Sequence, residues 1–239
     1  MLIDQEKCIK CGLCIPYCPM KCIVRTNDGV FINESECVEC EICKNAKVCK
    51  ADALYMMELG WPRIIRNQFS NPLISHPGTG LPGRGTEEMK TNEVTGRFRR
   101  GKAGVAIEMG RPGTGTRFRD VEKVAMAIAP LINTFEEHNP VTQLMIDNTG
   151  KLDDSILDEK ALSAIIEFEI DQANIVPVLE KLLLVQNEID TLFSLDIACR
   201  LEPDGTCPAA ILAEEAGFIL SLNGKTNVGL GKPLFKEEV

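Results

Sequence analysis

No apolar run of 18 residues occurs in this 239-residue chain, so no membrane-spanning helix is expected. The opening residues, Met1-Leu-Ile-Asp-Gln-Glu-Lys7, lack the apolar stretch of an export signal, and we expect a soluble, cytoplasmic protein. No Walker A run and no dinucleotide fingerprint appear, which leaves nucleotide binding without a motif. A flavin, nicotinamide or acid–base constellation is missing as well, so the chain reads as non-catalytic. Histidine is limited to His76 and His138, and tryptophan to Trp61 at the exit of the N-terminal segment. The net charge of −9 argues against general nucleic-acid binding.

Cysteine is abundant by contrast. There are eleven, and eight of them form two runs within the first fifty residues. Cys8, Cys11, Cys14 and Cys18-Pro19 make the first; Cys37, Cys40, Cys43 and Cys49 make the second. The two runs are an internal repeat. Cys8-Ile-Lys-Cys11-Gly12-Leu-Cys14 aligns with Cys37-Val-Glu-Cys40-Glu-Ile-Cys43, and Cys18-Pro-Met-Lys-Cys22 with Cys49-Lys-Ala-Asp-Ala53. Between them, Asn27-Asp28-Gly29 is a hairpin turn signal flanked by Cys22–Thr26 and Val30–Asn33. A disulfide framework is disfavoured without an export signal. Zinc sites would leave the matched fourth cysteines unexplained.

The first run, Cys-x2-Cys-x2-Cys-x3-Cys-Pro, resembles the ligand run of bacterial two-cluster ferredoxins, and the resemblance covers about residues 1–58. It implies two [4Fe–4S] clusters with crossed ligands: Cys8, Cys11, Cys14 and Cys49 for one, Cys37, Cys40, Cys43 and Cys18 for the other. Two departures stand out. Five residues separate Cys43 from Cys49 where the pattern has x3, and Lys50 replaces the proline. Neither removes a ligand. Exposed clusters decay in oxygen, so a reducing, anaerobic cytoplasm is expected.

Charge is unevenly spread. From His76 to Arg119 there are nine Arg and Lys against four Asp and Glu, a local balance of +5. Ten of the nineteen glycines lie in the same stretch. Three readings fit it: a flexible linker, an arm gripping an acidic partner, or a small-anion site of glycine amides beside guanidinium groups.

Farther on, the pattern predicts alternating strands and helices. Ala103–Met109, Val141–Asp147, Ala164–Ile170 and Thr191–Ala198 read as strands, and Asp120–Ile132 and Ile175–Val185 as helices. That gives βαββαβ, the split arrangement of ferredoxin-like and ACT-like folds. A last helix near Pro208–Gly217 and a strand near Phe218–Asn223 would extend it. The expected class is α+β, divided into a dicluster domain (1–60), a connecting arm (61–102) and an α/β sandwich (103–239).

Three cysteines remain. Cys22 occupies the place of Ala53 in the repeat and reads as a small buried side chain beside a cluster. Cys199 and Cys207 flank a turn. A third cluster would need a fourth ligand, such as His76 or His138, and a persulfide role for one of the three is the sulfur-chemistry alternative. The expected function is the ferredoxin-type subunit of an oxidoreductase complex, relaying electrons to or from a catalytic partner. The alternative is an ACT-like ferredoxin fusion acting in sulfur chemistry or as a metabolite or redox sensor. Partners are then a catalytic subunit, a redox protein or a second copy of the chain, with no nucleic acid and no membrane span.

Overall fold

The computed structural model describes residues 1–82, 96–111 and 113–221. Its N-terminal part contains β1 (Leu2–Ile3), β2 (Ile23–Arg25), β3 (Val30–Ile32), the short helix α1 (Ile42–Asn45) and β4 (Leu54–Tyr55). β1 pairs antiparallel with β4, so the two ends of the repeat close on each other. β2 and β3 form the expected hairpin, with the Thr26 amide donating to the Gly29 carbonyl at 2.8 Å.

The repeat is written into the backbone. Lys10, Gly12 and Lys21 take left-handed φ values of 57°, 75° and 53°. Their counterparts Glu39, Glu41 and Asp52 take 55°, 57° and 47°. Each loop must turn sharply to bring its thiols to one point, and five of these six turns are made without glycine, at some cost in strain. Lys47, at φ 53°, has no counterpart in the first half and lies in the two-residue insertion before Cys49.

The chain leaves this region through a cis Trp61–Pro62 bond and the helix α2 (Ile64–Ser70). After it come β5 (Lys102–Met109), β6 (Thr116–Arg117), α3 (Phe118–Ile128), β7 (Thr134–Phe135) and β8 (Lys160–Ala161). β9 (Ala164–Asp171), α4 (Ile175–Val185), β10 (Phe193–Cys199) and α5 (Pro208–Glu215) complete the described elements. β10, β5, β9 and β7 lie side by side in that order, and every neighbouring pair is antiparallel. From β5 to β10, leaving aside the short pair β6 and β8, the element order is β-α-β-β-α-β.

Periodicity explains the core. Alternate residues of β5 (Ala103, Val105, Ile107, Met109) and of β9 (Ala164, Ile166, Phe168, Ile170) are buried in one cluster. The helices meet that cluster with residues spaced three and four apart: Phe118, Val121, Val124, Ala125 and Ile128 on α3, and Ile175, Val178, Leu179, Leu182 and Val185 on α4. Each fully buried aliphatic side chain contributes roughly 1.5–3 kcal/mol relative to exposure. Ile65 and Phe69 of α2 belong to the same core, so α2 packs with the C-terminal elements.

Two expected strands differ. Val141–Asp147 holds a single 3₁₀ turn at Thr142–Leu144 instead of a strand. The Asn139 carboxamide oxygen accepts from the amides of Val141 at 2.8 Å and Thr142 at 3.4 Å, and Pro140 follows it, which starts a turn. The strand next to β9 is β7, two residues long, flanked by Asn133 and Glu136 amides that donate to Glu169 and Glu167 carbonyls. Phe218–Ser221 forms no strand, and the rest of that segment lies outside the described residues. α3 begins two residues earlier than expected, which leaves Asp120 buried in its first turn.

Candidate functional site

The eight run cysteines are gathered at two cavities. Cys8, Cys11, Cys14 and Cys49 line one, together with Ile3, Ile9, Leu13, Val30, Ala53 and Leu54. Cys18, Cys37, Cys40 and Cys43 line the other, with Met1, Met20, Ile23, Ile32 and Val38. Each cavity takes three thiols from one run and the fourth from the other. The repeat extends to the hydrogen bonds: the Cys22 amide donates to Cys18 Sγ at 3.3 Å, and the Ala53 amide to Cys49 Sγ at 3.3 Å. Backbone donors aimed at sulfur stabilise thiolate charge.

Apolar walls make these thiols hard to ionise alone. Burial pushes Cys40 up to about 11 and Cys43 up to about 12, and it raises Cys14 as well. Thiolates gathered in such a place require a cation to replace their protons. Four thiols around each cavity are the donor set that a [4Fe–4S] cluster takes. Among the described residues, no three His, Cys, Asp or Glu side chains converge as they would on a single ion. A zinc ion with Zn–S bonds of about 2.3 Å would demand that convergence.

Cys22 is a fifth thiol at the second cavity, buried, with its Sγ 3.3 Å from Cys18 Sγ. Its hydrogen bonding lowers Cys18 to about 6 and Cys37 to about 7, while Cys22 itself is driven upward. Cys22 is thus the small buried side chain expected there, and the repeat, with Ala53 in the matching place, carries no sign of its contact with Cys18. Cys199 and Cys207 lie elsewhere, against the α/β core and in contact with each other. The three spare cysteines are therefore not gathered into a third site, and neither His76 nor His138 joins them among the described residues.

The cavities differ in their surroundings. Cys11 is exposed, with Ile9 and Leu13 exposed beside it, whereas Cys37, Cys40 and Cys43 are buried. The loop that carries Cys37 to the second cavity is held by a charged clasp at the start of α2. Glu39, between Cys37 and Cys40, is fully buried and accepts from Arg63 Nε at 2.9 Å and from the Met1 amine. Arg66 Nη1 donates to the carbonyls of Glu34 (3.0 Å), Ser35 (3.2 Å) and Cys37 (2.8 Å), and its Nε pairs with Glu159. Asn67 Nδ2 donates to the Glu39 carbonyl at 2.7 Å. Arg63 and Arg66 share one helical face by their spacing, but nothing local in the sequence links them to Glu39 or Cys37. Glu36 completes the junction, bonded by Lys160 Nζ at 2.5 Å and Arg117 Nη2 at 2.6 Å. Trp61 remains exposed and donates to Ser155 Oγ at 3.1 Å, so it borders the junction without sealing it.

The basic stretch from His76 to Arg119 is partly outside the described residues. Where it is described, its charges meet the chain's own carboxylates. Arg97 pairs with Glu136, Arg100 with Glu202 at 2.7 Å, Lys102 with Asp171 at 2.5 Å, Arg117 with Glu36, and Arg119 with Asp158. Phe98 is buried, and its ring occupies the space that a side chain at Gly104 would take. From residue 96 onward this segment is therefore fastened to the sheet, not a free linker.

Residues 1–24 match the family described as the 4Fe-4S binding domain. The N-terminal region is thus a ferredoxin-type iron–sulfur domain. It is similar to Ferredoxin-1 of Rhodobacter capsulatus, 44% identical over 41 residues that make up 17% of this chain and 63% of that ferredoxin. It is also similar to the delta subunit of the NADH-dependent phenylglyoxylate dehydrogenase of Aromatoleum evansii, 36% identical over 44 residues, 18% of this chain and 47% of that subunit. The matched region spans less than two thirds of either relative. No solved structure matches the chain. No described helix is long and apolar enough to cross a membrane.

Proposed function

We propose that the chain is an electron-transfer protein holding two [4Fe–4S] clusters, and that it acts as the ferredoxin-type subunit of an oxidoreductase complex. One observation carries the reading: two apolar cavities, each lined by four of the eight run cysteines in the crossed grouping of dicluster ferredoxins. Cys8, Cys11, Cys14 and Cys49 would hold the outer cluster; Cys37, Cys40, Cys43 and Cys18 would hold the inner one. Each cluster supplies one-electron redox chemistry when bound. The chain's own residues shield the inner site from water, through Met1, Ile23 and Val38, and leave the outer site open at Cys11. That asymmetry favours entry or exit of electrons on the Cys11 side, with a redox partner seated over Ile9 and Leu13. The similarity to a dehydrogenase delta subunit supports a catalytic partner. We read the β-α-β-β-α-β unit as an ACT-like module that docks the chain onto that partner, in a cytoplasmic, oxygen-poor setting.

The test is cofactor content after anaerobic purification, where about eight iron and eight sulfide per chain are expected. Cys11→Ser should impair the outer cluster and Cys40→Ser the inner one, each leaving a distinct electron paramagnetic resonance signal from the survivor. Four iron, or stoichiometric zinc, overturns the assignment.

A further inference from the structure

Two cysteines with no part in the iron–sulfur cavities lie against each other at the far end of the chain. Cys199 ends β10, which among the described residues is an edge strand bonded to β5, and Cys207 immediately precedes α5. Their Sγ atoms are 3.5 Å apart, and both side chains are half-buried. The residues between them hold the two sulfurs opposite one another. The Glu202 amide donates to the Thr206 carbonyl at 2.9 Å, the Gly205 amide to the Glu202 carbonyl at 2.9 Å, and the Asp204 carboxylate accepts from the Thr206 amide at 3.0 Å. Arg100 fastens the same turn through Glu202. The contact across this braced turn places the two sulfurs within reach of the S–S bond length of about 2.05 Å.

Two competing uses of this pair are weak. A metal would need a third ligand, and none converges on the pair among the described residues. Packing alone would be served by alanine or serine, without two reactive sulfurs in register.

We propose that Cys199 and Cys207 form a reversible dithiol–disulfide couple whose oxidant is a low-molecular-weight disulfide. The exchange has two steps. Deprotonated Cys207 attacks one sulfur of the small disulfide, forming a mixed disulfide and releasing one thiolate. Cys199 then attacks the Cys207 sulfur, closing the internal disulfide and releasing the second thiolate. The two protons lost by the cysteines end on the two small thiols, and the two electrons lost by the chain reduce the disulfide that was consumed. Burial pushes Cys199 up to about 11, which disfavours it as the first attacker. The couple carries two electrons, unlike the one-electron clusters proposed for the N-terminal cavities. Closing it ties the start of α5 to the end of β10.

The test uses the anaerobic holoprotein equilibrated with glutathione disulfide and glutathione at graded ratios, with iron measured in the same samples. After acid quench, unfolding and alkylation, thiols per chain should fall from eleven to nine while iron is unchanged. Trypsin cleaves at Arg200, between the two cysteines, so the disulfide should appear as peptide 182–200 joined to peptide 201–225. The ratio of disulfide to dithiol form should follow the glutathione disulfide concentration divided by the square of the glutathione concentration, because closing the bond consumes one disulfide and releases two thiols. Cys199→Ser should instead accumulate glutathione on Cys207, and Cys207→Ser should abolish the joined peptide. The proposal is overturned if all eleven thiols remain alkylatable at every ratio that preserves iron. It is equally overturned if the two sites carry glutathione separately without joining, or if Cys199→Ser loses iron.

Discussion

Replacing Arg66 with alanine should loosen the inner cavity and leave the outer one intact. Arg66 is almost wholly buried, and one guanidinium serves two purposes. It satisfies the carbonyls of Glu34, Ser35 and Cys37, and it neutralises Glu159. Removing it leaves the buried Cys37 carbonyl without this donor, at about 1–3 kcal/mol for such a group, and breaks a largely buried ion pair, at about 3–5 kcal/mol. Water entering the vacated space relieves part of both, so we expect a total of about 3–5 kcal/mol. A tenfold change corresponds to about 1.4 kcal/mol. If only a third of the loss falls on local opening of the Cys37 loop, iron release should still quicken about five- to fifteenfold. The assay is the rate at which a strong iron chelator bleaches the visible absorption of the anaerobic protein. We expect a fast phase for about half the iron in the variant, and the remainder at the wild-type rate. Arg66→Lys keeps a charge for Glu159 but lacks the fork that reaches the carbonyls, so it should fall between the two. An alanine variant that releases all its iron at the wild-type rate refutes the clasp as a support of the inner cavity.

Two further outcomes follow from buried groups elsewhere. A Cβ at Gly104 would lie 2.2 Å from the Phe98 ring, so Gly104→Ala should expel that ring and cost about 1–3 kcal/mol in urea unfolding. Adding Phe98→Ala to it should cost less than the sum of the two changes, and simple additivity would rule out the contact. Burial holds the His76 imidazole below its usual pKa, with Nδ1 accepting from the Gly78 amide at 3.2 Å and an edge contact to Phe69. The unfolded chain therefore binds more protons than the folded one below about pH 6.5. Stability should be fully present above that pH and should fall as pH drops through the lowered folded value. His76→Gln should flatten that slope, and an unchanged slope would assign it to another group.

What the sequence made legible was whatever repeats at short range. The cysteine spacings marked the eight gathered thiols, and period-two and helical patterns marked β5, β9, β10, α3 and α4, whose inward residues are consecutive terms of one rhythm. β7 escaped because two residues carry no rhythm, and because the apolar run after Pro140 looked more like a strand than the turn that Asn139 imposes. The clasp escaped for another reason. Arg66 meets carbonyls about thirty positions upstream and Glu159 ninety-three downstream, and a charge gives no local sign of its distant partner. The surplus of positive charge between His76 and Arg119 misled in the same way. Counted along the chain it calls for an external acid; followed in space, its described members meet Glu36, Glu136, Asp158, Asp171 and Glu202 of the same molecule.

The exchange of one thiol between the two runs makes the N-terminal region indivisible. Cys18 is carried by the first run but faces the second cavity, and Cys49 is carried by the second run but faces the first. Cutting the repeat at its midpoint would give two halves that each keep three thiols at one cavity and hold a fourth aimed at nothing. Neither half is a smaller working version of the whole. A duplicated segment with this arrangement can change its loops, as the insertion before Cys49 does, but it cannot give up either copy without disabling both sites at once.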